Sequence, residues 1–178
     1  MDPSPSSRQQ QYRRRVVDAL PRYISEFNQQ PPTCFLDFSD DGDRSDERIR
    51  QLCDQIRRRR TATGMRSLLV TYFLLGRILS SLDRESVYPT LRKQMTYARA
   101  QHVSRGALRA FEVFSISGPE FIVISSLSPP VLSEMSATGY SAFIDALQAQ
   151  ALLARLTEQT PLEGNSVTVH GDTAELHP

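Results

Sequence analysis

Residues 43–82 constrain this chain more than any other stretch, because they set a charged amphipathic segment directly against an apolar one. Over 44–60, Ile49, Leu52, Cys53 and Ile56 recur at i, i+3, i+4 and i+7, which predicts a helix with one buried stripe. Asp43 and Asp46 suit its start and the arginines 57–60 suit its end, each complementing the helix dipole. After a turn at 61–64, residues 65–82 are apolar nearly all round: Leu68, Leu69, Val70, Tyr72, Phe73, Leu74, Leu75, Ile78, Leu79 and Leu82. A helix with so little polar surface must be covered, either by the rest of its domain or by a second subunit. Leu69, Phe73, Leu75 and Leu79 are therefore expected to form an interaction or dimer core. Gly76 either weakens this helix by about 1 kcal/mol against alanine or lets a neighbouring helix approach closely.

The flanking sequence builds outward from that pair. Over 8–28, Tyr12, Val16, Leu20, Tyr23, Ile24 and Phe27 share a helical face, with Arg13, Arg14 and Arg15 opposite. Pro21 predicts a kink, or two short helices meeting there. Residues 29–42 read as a loop with a short extended segment at 33–38. Its acids invite a calcium loop starting at Asp37, but the twelfth position, which needs a bidentate acid, is Arg48. Pro89 suits the first position of a helix over 90–101, with Leu91, Met95 and Ala98 inward and Arg92, Lys93 and Arg99 outward. Arg105 and Arg109 continue the outward side, and Gly106 marks a break. The period then changes: 111–117 alternates, Gly118-Pro119 turns, and 121–126 is β-branched and apolar, which predicts a hairpin. Ser128-Pro129-Pro130 ends it. A helix beginning near 136 or 140 and running to 158 places Tyr140, Phe143, Ile144, Leu147 and Leu152 inward, and 166–170 reads as a last strand. The expectation is an α+β fold. A helical N-terminal lobe of about four helices (8–110) precedes a small antiparallel sheet, hairpin plus last strand, packed with one C-terminal helix (111–170). Flexible ends at 1–7 and 171–178 complete it.

Much chemistry is excluded. With 39% hydrophobic and 23% charged residues, the 178-residue chain can bury a core and suits one domain with a small appended lobe. Cys34 and Cys53 cannot make a disulfide scaffold, nothing resembles a signal peptide, and Cys53 falls on an apolar stripe where a thiol is inert. The longest apolar run, 68–75, is far short of the roughly 18 to 20 residues that span a bilayer. An intracellular protein is expected, cytoplasmic with the nucleus as a second compartment, and without membrane association. His102, His170 and His177 are scattered, so no zinc set forms. No phosphate-binding glycine loop and no nucleophile elbow are present. No catalytic residue, metal or cofactor is expected, and the chain reads as a non-enzyme.

Arginine is what remains. The net charge of +1 argues against a uniformly basic surface, yet 20 of the 21 cations are arginine and Lys93 is the other. G+C-rich codons, or a gene overlapping another frame, produce the same bias. Arg57, Arg58, Arg59, Arg60 and Arg66 lie within ten residues with no intervening acid. Successive residues project about 100° apart, so these guanidinium groups fan around the helix end. Such a fan serves either as a dipole-complementing terminus or as a surface for RNA or another polyanion, driven by counterion release and helped by Arg13, Arg14 and Arg15.

In layout, with the Met1-Asp2-Pro3 start, the arginine-rich helix around 57–60 and the stretch 165–169, the chain is similar to the influenza non-structural protein 1 family. There a basic helical domain binds double-stranded RNA ahead of an effector domain. The resemblance implies an RNA-binding regulatory protein of the viral accessory kind that antagonises host defence. The chain departs from that pattern in lacking tryptophan and in its short C-terminal part. Two other readings stand beside it. One is a protein-interaction module (adaptor, chaperone or host-protein antagonist) acting through an exposed apolar helix or sheet edge. The other is a helical coat or matrix subunit. A homo-oligomer is expected in the leading case.

Overall fold

Seven α-helices and one 3-10 turn account for the regular structure of the computed structural model, which describes residues 5–31, 33, 38, 41–58 and 65–159. The helices are α1 (Pro5–Glu26), α2 (Asp46–Arg58), α3 (Met65–Ser80), α4 (Arg84–Arg92), α5 (Tyr97–Ser117), α6 (Pro129–Glu134) and α7 (Ala137–Gln159). The 3-10 turn, Pro119–Val123, links α5 to α6. Helix α5 is the axis of the fold: α3, α4, α6, α7 and the 3-10 turn all pack against it. Its buried face alternates small residues (Ala100, Gly106, Ala107, Ala110) with Val103, Val113 and Phe114, so its neighbours come in close. At the α3–α5 crossing a Cβ on Gly76 would lie 1.9 Å from the Ala107 carbonyl oxygen. One turn away the Tyr72 ring lies against Gly106, where a Cβ would stand 3.0 Å from the ring and 2.3 Å from Ser133 Oγ of α6.

Helix α2 follows its stripe closely. Ile49, Leu52, Cys53 and Ile56 are buried, and the helix packs on α3. Its cap is Ser45, whose Oγ accepts the Arg48 amide at 3.2 Å, while the Asp43 carboxylate accepts the Ser45 amide at 2.9 Å. Asp43 thus orders the cap from outside, and hydrogen bonds from the Ser45 side chain and the Ser45 amide hold its carboxyl below the usual range. Burial pushes the Cys53 thiol up to about 11. Cys53 should therefore stay unmodified by iodoacetamide at about pH 8 in the native protein and react fully in urea, read by mass spectrometry of its peptide. Native labelling would mean that the α2–α3 interface opens.

The α+β expectation is overturned: among the described residues the chain is helical and has no strand. Residues 111–117, read as the first hairpin strand, are the last two turns of α5. Ala107, Ala110, Phe111 and Phe114 follow i, i+3, i+4, i+7, and Gly106 does not break the helix but admits Tyr72. Helix α5 stops only where Gly118 takes φ 107°, a left-handed angle that favours glycine. The second expected strand coils into the 3-10 turn, burying Phe121 and Ile122. Beyond it the Ser126 amide finds the Glu26 carboxylate of α1 at 2.9 Å instead of a strand partner. The expected division at 110/111 falls inside α5, and one core joins residues from both sides of it.

Smaller departures follow the same logic. Pro89 lies within α4 instead of opening a helix, and a separate α5 begins at Tyr97 after Thr96. Ser128-Pro129-Pro130 starts α6: Ser128 Oγ accepts the Val131 amide at 3.4 Å and the prolines occupy positions that need no donor. Helix α1 continues through Pro21, with Val16 and Tyr23 buried. Helix α7 buries Phe143, Ile144 and Leu147, whereas Leu152 is 58% exposed. The expected strand 166–170, most of the segment 33–38, Cys34 and the chain ends 1–4 and 160–178 lie outside the described residues.

Candidate nucleic-acid interface

The arginines singled out from sequence are only partly available. Arg57 pairs with Asp54 (Nη1–Oδ1 3.0 Å) and donates from Nη2 to the Gln94 carbonyl at 2.6 Å. Arg50 pairs with Glu47 at 2.6 Å and with Asp54 at 3.6 Å. The outer side of α2 therefore runs Glu47, Arg50, Asp54, Arg57, a ladder that neutralises itself. The Arg50 hydrogen bond holds the Glu47 carboxyl below its ordinary range. Arg58 is exposed and makes no ion pair among the described residues. Arg59, Arg60 and the Arg66 side chain lie outside what is described. Arg13, Arg14 and Arg15 are exposed on α1, which packs on α7, whereas α2 packs on α3, so the two arginine groups ride on separate parts of the fold.

The expected dimer core is corrected outright. Leu69, Phe73, Leu75 and Leu79 are at most 2% exposed and sit in this chain's own core. Helix α3 is covered by its own domain, and these side chains have no surface left to offer a partner.

A second concentration of arginine lies where α4 and α5 pack together. Arg84, Tyr88 and Arg92 fall on one stripe of α4 at intervals of four; Tyr97, Gln101 and Arg105 do the same on α5. The Tyr88 and Tyr97 rings are 6.2 Å apart and tilted by 32°. The Arg92 guanidinium carbon lies 5.7 Å from the Tyr97 ring centre, and Gln101 Nε2 donates to the Tyr97 hydroxyl at 2.9 Å. At the far end Arg84, Arg105 and Arg109 surround a recess of about 250 Å³ with Ser104, Val87 and Leu108. That is below the roughly 300–1,000 Å³ of pockets that enclose a whole small ligand, so it suits one group of a larger one. Arg105 donates to the Ser133 carbonyl at 3.3 Å, and Arg109 to the Leu132 and Met135 carbonyls at 2.7 Å each. None of these four arginines is paired with a carboxylate among the described residues; neighbouring Lys93 is, with Asp46 at 2.9 Å.

Arg109 is the best-anchored of them. Its guanidinium lies 4.3 Å from the Tyr140 ring centre, and the Tyr140 hydroxyl donates to Glu112. Burial, then that hydrogen bond, pushes the Tyr140 phenol upward, and burial pulls the Arg109 guanidinium down. His102, on α5 near Arg99 and Arg105, is pulled below its usual value by burial. No group of three or more His, Cys, Asp or Glu is placed to hold a metal ion among the described residues. There too, no helix is long and apolar enough to cross a membrane.

The sequence reading puts Arg92, Lys93, Arg99, Arg105 and Arg109 on one outward side; Arg109 is instead half-buried against α6, and Arg84 and the two tyrosines, which that reading leaves out, join Arg92 and Arg105. That convergence needs the turn at 93–96, which folds α4 back on α5. No protein family, no curated protein and no solved structure matches the chain.

Proposed function

We propose that this chain is a non-enzymatic binding protein for RNA or a similar polyanion, engaging it through the α4–α5 seam, with Arg58 and Arg13–Arg15 as further cationic points. One observation carries the reading. On α2 Arg50 and Arg57 are paired with acids, whereas Arg84, Arg92, Arg105 and Arg109 meet only carbonyls, rings and solvent among the described residues, so the seam keeps its positive charge. Arginine in that state exchanges bound counterions for phosphate contacts.

Size-exclusion chromatography with light scattering, with and without a short RNA, tests this at two ionic strengths. Four phosphate contacts at a slope of roughly 0.7–0.9 per contact weaken binding about 50- to 150-fold between about 50 and 200 mM salt. Absence of any RNA complex at the lower salt, or affinity indifferent to salt, overturns the reading.

A second reading, a protein-interaction module, is favoured by the apolar end of α7. Leu152, Leu153 and Leu156 are each more than half exposed beside a groove of about 780 Å³ whose walls include Phe27, Ile116, Phe121 and Leu153. The same column reads it as a dimer mass that persists at both salts and is lost in Leu152→Glu with Leu156→Glu. Assemblies larger than a dimer favour a coat or matrix subunit.

A further inference from the structure

The seam carries more than charge. Six large apolar side chains are exposed among the described residues, and the two aromatic ones, Tyr88 at 39% and Tyr97 at 53%, lie together on it. A surface built only for phosphate has no use for bare rings, which are apolar area left in water. A double helix has none for them either, since its base faces are already stacked inside. Unpaired bases are different: each presents a π-face that stacks on an aromatic ring while arginines hold the chain of phosphates.

We propose that the α4–α5 seam binds single-stranded nucleic acid, its bases stacking on Tyr88 and Tyr97 and its sugar–phosphate chain tracking Arg84, Arg92 and Arg105. This rests on the polyanion reading above and narrows it to one class of ligand. The stripe from Arg84 to Arg92 spans eight residues of helix, about 12 Å, which fits a strand of a few nucleotides. At one end the recess between Arg84 and Arg105 takes a phosphate, with the Ser104 hydroxyl on its wall. At the other end a base arriving on Tyr97 displaces the Arg92 guanidinium, which at 5.7 Å is only loosely held over the ring, to the adjoining phosphate. Gln101, fixed by its hydrogen bond to the Tyr97 hydroxyl, holds that ring in place.

Fluorescence anisotropy with a labelled twelve-nucleotide oligouridine and a twelve-base-pair RNA duplex, at about 50 mM salt, tests the assignment on the full chain. Both tyrosines are exposed, so Tyr88→Ala with Tyr97→Ala leaves the fold intact, checked by an unchanged melt. That double variant is expected to weaken oligouridine binding about tenfold or more per lost ring, while Tyr88→Phe with Tyr97→Phe retains it. Duplex affinity, where measurable, is unaffected by either pair. If wild type binds oligouridine and the alanine pair binds it equally well, the seam is not the site, although the polyanion reading survives on Arg58 and Arg13–Arg15. If the duplex binds as tightly as the strand and loses as much in the alanine pair, the ligand class is wrong. If neither probe binds the wild type, both the inference and the reading beneath it fail.

Discussion

Gly76→Ala is expected to lower the melting temperature by about 6–12 °C, although alanine is the better helix former. On propensity alone the change favours α3 by about 1 kcal/mol. Against it stands the position of the new methyl carbon, 1.9 Å from the Ala107 carbonyl oxygen, 2.6 Å from its carbon and 2.8 Å from Phe111 Cβ. The first two are backbone atoms of α5 and cannot rotate away, so α3 and α5 must separate along their whole contact. Overpacking that forces such shifts costs about 1–3 kcal/mol and more at rigid sites. Two contacts under 3 Å with backbone put this site above that range, at about 4 kcal/mol. With the propensity gain of about 1 kcal/mol subtracted, a net loss of about 3 kcal/mol remains, and a chain of this length loses roughly 2–4 °C per kcal/mol. Gly139→Ala in α7 is the control. There the methyl would lie 3.1 Å from the Ser136 hydroxyl and 3.7 Å from Met135 Cγ, side-chain atoms and not backbone, so its melt stays at or slightly above wild type. A Gly76→Ala protein melting at or above wild type would falsify the close crossing of α3 and α5.

What could be read from the residues, and what could not, divides by range. The α2 stripe was legible because Ile49, Leu52, Cys53 and Ile56 form a local pattern over two turns, and all four are buried. Gly76 was ambiguous between a weak point and a close crossing because the deciding atom, the Ala107 oxygen, is 31 positions away. Over 111–117 the pattern failed because seven residues fit a period of 2 and of 3.6 equally well. The tie is broken by Ala107 and Ala110 upstream, which continue the same face. Helix α6 was misread although its signal was present: a serine followed by two prolines opens a helix as readily as it ends a strand. For the candidate site, the pairing of Arg57 with Asp54, observed at 3.0 Å, lies at an i, i+3 interval that the reading of 57–60 as a cationic fan passes over. Its second partner, the Gln94 carbonyl, was not legible, and neither was the Tyr88–Tyr97 pair, which exists only because α4 turns back onto α5.

Arg109→Ala is expected to cost about 3 kcal/mol, again a drop of roughly 6–12 °C, because Arg109 is the C-terminal cap of α6 supplied from α5. A six-residue helix has few internal bonds, and its last carbonyls need donors from elsewhere. Arg109 Nη1 supplies them to Leu132 and Met135 at 2.7 Å each, on the end where the helix dipole favours a cation. Removal leaves two half-buried carbonyls short of a donor, at about 1–3 kcal/mol where water cannot enter, and takes away the guanidinium 4.3 Å from the centre of the Tyr140 ring. Two further variants separate the cap from its surroundings. Arg109→Lys keeps the charge and a donor but lacks the planar face for Tyr140, so it falls between wild type and alanine. Tyr140→Phe keeps the ring beneath the guanidinium and removes only the hydroxyl that donates to Glu112, whose carboxylate faces solvent, so it melts close to wild type. If lysine is as damaging as alanine, stacking on Tyr140 outweighs the cap. If alanine costs nothing, α6 is held by its buried Pro129, Leu132 and Ser133 and by the Arg105 hydrogen bond to the Ser133 carbonyl, and Arg109 is left to the recess that it lines.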